Sequence, residues 1–194
     1  MPGLCRRLGA CAAVACVAGL ALAGCSSPTM MLDAATTVAE DRSMSQVATD
    51  VGLKFDINAK LLSNKYRDLF LDVNTNVHEN RVMLTGSVET ASHKRRATLL
   101  VRGIKGVTKV INELQVTDDG SLKDTANDLW IETKLKARLV GSKGVSSINY
   151  RWRSVNGVVY FIGVAQNRSE LAKVIRLARD TGHVNKVVTH VRIK

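Results

Sequence analysis

Cysteine is missing from this 194-residue chain after position 25. The four that occur, Cys5, Cys11, Cys16 and Cys25, all lie at its start. Whatever folds downstream has no thiol, disulfide or cysteine metal site, so its stability must rest on packed apolar area. Aromatic residues are only 4 % of the chain, which makes each exposed one worth examining. Acidic residues are outnumbered, 17 against 28 Lys and Arg, for a formal net charge of +11. The uninterrupted apolar run, residues 8–23, has 16 residues and is rich in alanine and glycine. That is short of the roughly 20 a bilayer-spanning helix requires. The histidines His78, His93, His183 and His190 have no metal-ligand spacing, and no nucleophile–base constellation or phosphate-cradling glycine loop is present. Catalytic residues, metal and cofactors are therefore expected to be none.

At the start, Arg6 and Arg7 precede the apolar run, which closes on Leu22-Ala23-Gly24-Cys25. This is the layout of a secretory signal peptide with small residues at the cut. Cysteine directly after Leu-Ala-Gly resembles the bacterial lipobox, which implies removal of residues 1–24 and acylation of Cys25. A transmembrane anchor is the plain alternative. Ser26, rather than an aspartate, follows the cysteine, a pattern that by convention implies the outer membrane. Residues 25–45 are small and polar without periodicity, and read as a tether.

The remainder contains one pattern twice. Arg81-Val-Met-Leu-Thr-Gly86-Ser-Val88 matches Val158-Val-Tyr-Phe-Ile-Gly163-Val-Ala165 at an offset of 77. The same offset pairs Ser92 with Ser169, Leu100 with Leu177, Val107 with Val184, Val110 with Val187 and Val116 with Ile193. Upstream an offset of 74 pairs Ile57, Lys60 and Leu61 with Ile131, Lys134 and Leu135.

Each copy reads helix, strand, strand, helix, strand. In the second, a helix over 124–140 precedes a strand at 147–153 and the tight-turn dipeptide Asn156-Gly157. A β-branched and aromatic strand follows over 158–164. Asn167 and Glu170 are spaced as a helix start, that helix reaches about Asp180 with Gly182 beyond it, and the last strand covers 184–193. The first copy predicts helices over 50–63 and 91–102 and strands at 70–76, 81–88 and 107–116, with a short helix near 44–51. Asn80 stands where Gly157 does, and asparagine tolerates the positive φ of that turn. The expected fold class is α+β, with two units at 46–118 and 119–194. Each is a three-stranded mixed sheet packed against two helices, with a core small enough that the copies should pack together or lean on a partner.

These motifs resemble tandem BON domains. The resemblance rests on Ile131-x-x-Lys134-Leu135, Asn156-Gly157-Val158-Val159-x-x-x-Gly163 and Val184-Asn-Lys-Val187. With the lipobox and Asn127-Asp128-Leu129-Trp130-Ile131-x-Thr133-Lys134, the chain is similar to the lipid-binding outer-membrane lipoproteins of the DolP type. That resemblance implies a non-enzymatic periplasmic lipoprotein whose second domain binds anionic phospholipid through its first helix, with a role in envelope integrity or division.

The residues speak to lipid on their own. In the helix over 124–140, Ile131, Leu135 and Leu139 form one apolar stripe, while Ala126, Trp130, Thr133, Ala137 and Val140 form another on the opposite side. Ile131 and Leu135 have apolar counterparts in the first copy, whereas Trp130 aligns with Asp56, so Trp130 should point outward. Beside Lys134, with Asn127 and Lys123 nearby, it has interfacial character. Packing of Trp130 against the first domain is the bland alternative. Residues 25–118 carry 12 basic and 11 acidic residues, whereas 119–194 carry 14 and 6. The second copy thus holds most of the net positive charge, which suits an anionic membrane surface or is a solvated basic face. Nucleic acid is not expected of an exported chain. Lys94-Arg95-Arg96 and Arg151-Trp152-Arg153 read more simply as a solvated face and a packed strand. Two functions remain open, a phospholipid-binding lipoprotein and an envelope protein–protein adaptor. Oligomeric state is not legible.

Overall fold

The computed structural model describes residues 42–63, 65–117 and 125–194. The leader expected at residues 1–24, Cys25, most of the expected tether and Lys123 lie outside the described residues. Two copies of one αββαβ unit follow each other. In the first, helix α1 (Met44–Leu61) leads through one helical turn (Arg67–Phe70) to strands β1 (Val73–His78) and β2 (Arg81–Val88), then helix α2 (Ala91–Arg102) and strands β3 (Lys109–Asn112) and β4 (Gln115–Val116). In the second, helix α3 (Thr125–Val140) and a 3-10 turn (Ser147–Asn149) precede strands β5 (Tyr150–Val155) and β6 (Val158–Ala165), helix α4 (Arg168–Arg179) and strand β7 (Lys186–Ile193). In each sheet the middle strand pairs antiparallel with the one before it and parallel with the one after α2 or α4. The fold is α+β, as the sequence predicts.

Three boundaries differ from the sequence reading. The helix expected over 50–63 and the short one near 44–51 are a single helix, α1, because Ser43 caps it by accepting from the Gln46 N–H at 3.2 Å and nothing between interrupts it. The first strand of each copy starts about three residues later than expected, after the helical turn at Arg67–Phe70 or the 3-10 turn at Ser147–Asn149. The strand expected over 107–116 is paired in two pieces, β3 and β4, both on β2 and in one register.

The hairpins are built alike. Glu79 and Asn80 have φ of 51° and 59°, Asn156 and Gly157 50° and 74°, so both turns have two central residues in the left-handed region. A buried carboxylate of the first helix clasps each turn. Asp50 accepts from the backbone N–H groups of Glu79 (2.8 Å) and Asn80 (2.9 Å), and Asp128 from those of Asn156 (2.7 Å) and Gly157 (2.9 Å) and from the Ser154 hydroxyl (2.5 Å). Six residues beyond each turn, Gly86 and Gly163 let the segment before β1 or β5 cross closely. A Cβ on Gly86 would lie 1.8 Å from the Asp72 carbonyl oxygen, and one on Gly163 2.2 Å from that of Asn149.

The carboxylates correct the repeat alignment. Besides Val47, the buried positions on α1 are Asp50, Leu53, Ile57 and Leu61, and those on α3 are Asp128, Ile131, Leu135 and Leu139. These match at an offset of 78, so the pairing of Ile57 with Ile131 is wrong by one helical turn. A shift of four keeps nearly the same helix face, which is why the apolar pattern alone could not detect it. Trp130 corresponds to Gly52 rather than Asp56, and Leu129 to Val51.

Each sheet buries one face under its own helices, around Ile57, Phe70, Val82, Leu84 and Val101 in the first unit and Ile131, Leu135, Tyr150, Phe161 and Val174 in the second. The other faces pack on each other through Met83, Ile111, Val155, Tyr160 and Ile162. The middle strands are therefore covered on both sides, and all eight residues of β2 are buried. Polar groups close the seam. The Gln115 amide donates to the Val155 carbonyl (3.0 Å) and accepts from Asn156 (2.8 Å), His190 meets Glu113 at 2.7 Å, and Arg192 pairs with Glu79. His78 sits in this layer, 1 % exposed, with no hydrogen-bond partner for either ring nitrogen among the described residues. Burial first, then the charges of Arg42, Arg151, Arg81 and Arg192, push its pKa from 6.5 to about 3.

Two outcomes follow from these contacts. Asp128→Ala leaves two backbone donors and a hydroxyl unpaired, and should lower unfolding free energy by about 2–4 kcal/mol in chemical denaturation. An exposed truncation such as Leu129→Ala should stay within about 0.5 kcal/mol. His78 is neutral when folded but gains a proton below about pH 6.5 when unfolded, so its contribution is full above that pH and falls as pH drops toward 3. Denaturation midpoints between pH 7 and 5, above the range where ordinary carboxylates titrate, should decline less in His78→Phe than in the parent chain.

Candidate functional site

With Asp128, Ile131, Leu135 and Leu139 turned to the sheet, the rotation of α3 is set and its remaining residues form one outward arc. Ala126 and Ala137 lie near its middle and are exposed. On one shoulder stand Trp130 and Lys134, on the other Leu129, Thr133, Lys136 and Val140. Leu129 is 65 % exposed, Val140 66 % and Trp130 45 %. Trp130 is less open because its indole leans on its own domain. A Cβ on Gly182 would lie 3.3 Å from its ring, and His183 meets it edge-on with ring centroids 5.2 Å apart. Thr133 and Lys134 are exposed, Asn127 is half-buried, and the Thr133 hydroxyl donates to the Leu129 carbonyl at 2.9 Å. The structure thus gathers Trp130, Thr133, Lys134, Ala137 and Val140 on one surface, with Asn127 at its margin.

Sequence reasoning missed half of the apolar surface nearby. Leu129 belongs to the arc, and α1 carries an outward row of its own, Met44, Val51 and Phe55, continued by Leu62 at its C-cap, with Val51 63 % and Phe55 73 % exposed. The spacing of 7, 4 and 7 was readable as a second stripe.

Between α1 and α3 runs a groove of about 760 Å³. Val47, Val51 and Lys54 line it from α1, Leu129, Glu132, Thr133, Lys136 and Val140 from α3. Val51 and Lys54 match Leu129 and Glu132 at the offset of 78, so the helices turn equivalent sides toward each other. The edge strands contribute Asn76 and Val77 from β1 and Tyr150, Arg151 and Trp152 from β5. Its two carboxylates are both engaged. Asp50 is paired with Arg42 as well as with the turn, and Glu132 accepts from Arg153 (3.3 Å) and the Ser154 N–H (2.8 Å). Burial is the largest influence on Glu132 and raises its pKa, against the lowering effects of Ser154 and Arg153. Lys54 and Lys136 are exposed and have no ion-pair partner among the described residues.

The family model described as the BON domain matches residues 49–118 and 127–194, one match on each of the two αββαβ units. The chain belongs to the BON-domain family. The starts of the two matches are 78 residues apart, the offset of the two carboxylates. The chain is 34 % identical over 146 residues to a protein encoded in the gshII 5′ region of Anaplasma centrale, covering 75 % of this chain and 95 % of that one. It is 32 % identical over 117 residues to the outer membrane lipoprotein DolP of Haemophilus influenzae, covering 60 % of each. It is 26 % identical over 125 residues to the osmotically inducible protein Y of Escherichia coli, covering 63 % of this chain and 62 % of that one. The alignments thus span about three fifths of the latter two relatives.

Proposed function

We propose that this BON-domain chain is a non-enzymatic lipoprotein of the bacterial envelope, attached to the outer membrane through acylated Cys25. In this reading its second domain binds anionic phospholipid through α3, supporting outer-membrane integrity, with accumulation at division sites where such lipid is enriched. The observation that carries the reading is the outward arc of α3, where Leu129, Trp130 and Val140 stand exposed beside Lys134 and Lys136. A half-exposed indole with cations beside it suits the headgroup level, where the ring is buried and its N–H stays wet. Basic residues near an anionic leaflet contribute on the order of 1 kcal/mol each, and residues 119–194 hold 14 of them against 6 acidic. The relative DolP is named an outer membrane lipoprotein, which agrees with the lipobox at Leu22–Cys25. Membrane attachment through the acyl chains would leave α3 needing only weak, reversible lipid contact.

The test is co-sedimentation of the chain from residue 26 onward with phosphatidylcholine vesicles, with and without phosphatidylglycerol. Binding should require the anionic lipid, weaken with added salt, and drop about tenfold or more in Trp130→Glu, which loses the indole and adds a negative charge. Equal binding to both vesicles, or none to either, would refute the lipid reading and favour the adaptor reading of the same helix.

A further inference from the structure

The groove between α1 and α3 has the features of a site for a single lipid molecule. About 760 Å³ falls in the range of roughly 300–1,000 Å³ typical of small-molecule sites. Its sides are aliphatic and aromatic, from Val47, Val51, Leu129, Val140 and Trp152. Three of these, Val51, Leu129 and Val140, are also among the most exposed apolar residues of the described chain, so the mouth opens on the outward surface of the helices. Lys54 and Lys136 are exposed and line the groove from opposite helices, while Asp50 is held by Arg42 and two backbone N–H groups and Glu132 by Arg153 and one. The groove therefore offers apolar walls with net positive charge at the rim. An anionic amphiphile satisfies both, because its chain replaces water against the walls and its phosphate meets two ammonium groups.

We propose that the groove takes one acyl chain of an anionic phospholipid, with the phosphate seated on Lys54 and Lys136. Resting on the lipid reading of α3, this makes the first domain half of the binding site, since Lys54, Val51 and Val47 all come from α1. The protein then engages an individual lipid at the seam of its domains as well as the membrane surface at Trp130.

The chain has two tryptophans, Trp130 and Trp152, and only Trp152 lines the groove. Trp130→Phe therefore makes Trp152 emission a reporter of occupancy. Short-chain phosphatidylglycerol brominated in its acyl chains, held below its micelle concentration, should quench Trp152 saturably. The phosphatidylcholine of equal chain length should bind at least about fivefold more weakly, and Lys54→Glu in the Trp130→Phe chain should weaken phosphatidylglycerol by a similar factor or more. Lys54 is exposed, and an unchanged circular dichroism spectrum and melting temperature would confirm that the variant folds. Absence of saturable quenching, equal quenching by both lipids, or indifference to Lys54→Glu would overturn the proposal. The two readings fail separately. Trp130→Glu should lose vesicle binding yet keep Trp152 quenching, whereas vesicle binding without quenching would leave the α3 surface standing and remove the groove.

Discussion

In both domains a single carboxylate on the first helix reaches across the core to two backbone N–H groups of the hairpin turn. Asp50 and Asp128 are buried, and each fixes three things together. It satisfies donors that the tight turn cannot pair within the ladder. It stabilises two consecutive residues of positive φ, in the first domain including a glutamate, Glu79, whose side chain is in turn engaged by Arg192 of the other domain. It also sets the rotation of the helix about its axis, since the residue that touches the turn determines which others face the sheet and which face out. The outward arc of α3 is thus a consequence of where Asp128 is held.

The free faces of the two sheets meet each other, and this leaves the helices available. A three-stranded sheet under two helices has one uncovered side, too apolar here at Met83, Ile111, Tyr160 and Ile162 to stand in water. Pairing the sheets covers those sides and joins the domains without using the outer surfaces of α1 and α3. The exposed rows Val51–Phe55 and Leu129–Val140 are therefore not needed to hold the copies together, and Trp130 rests on Gly182 and His183 of its own domain. An apolar surface that the fold does not require is the physical argument for an external ligand.

Much of this was legible in the sequence. The order of elements, the turns at Asn80 and Asn156-Gly157, the glycines Gly86 and Gly163 and the duplication are local patterns. Two patterns misled. A four-residue slip along a helix preserves its face, so Ile57 aligned with Ile131 as plausibly as with its true partner Leu135, and only the contact of Asp50 and Asp128 with the turns breaks the tie. In sequence α1 reads as two helices because its first turns are polar, and Ser43, which caps it, falls among the small polar residues of the expected tether. The groove had no sequence signal, since Lys54 and Lys136 belong to different domains and line one groove only through the packing of the sheets.

The central claim is that one continuous surface, the outward arc of α3 with the facing side of α1, meets anionic lipid. Its most direct test is amide-resolved NMR of the chain from residue 26 onward with anionic micelles containing a spin-labelled lipid. Paramagnetic broadening should centre on Leu129, Trp130, Thr133, Lys136, Ala137 and Val140, extend to Val51 and Lys54, and spare α2 and α4. Broadening centred instead on Lys94–Arg96 of α2, on α4 or on the edge of β7 would contradict the account.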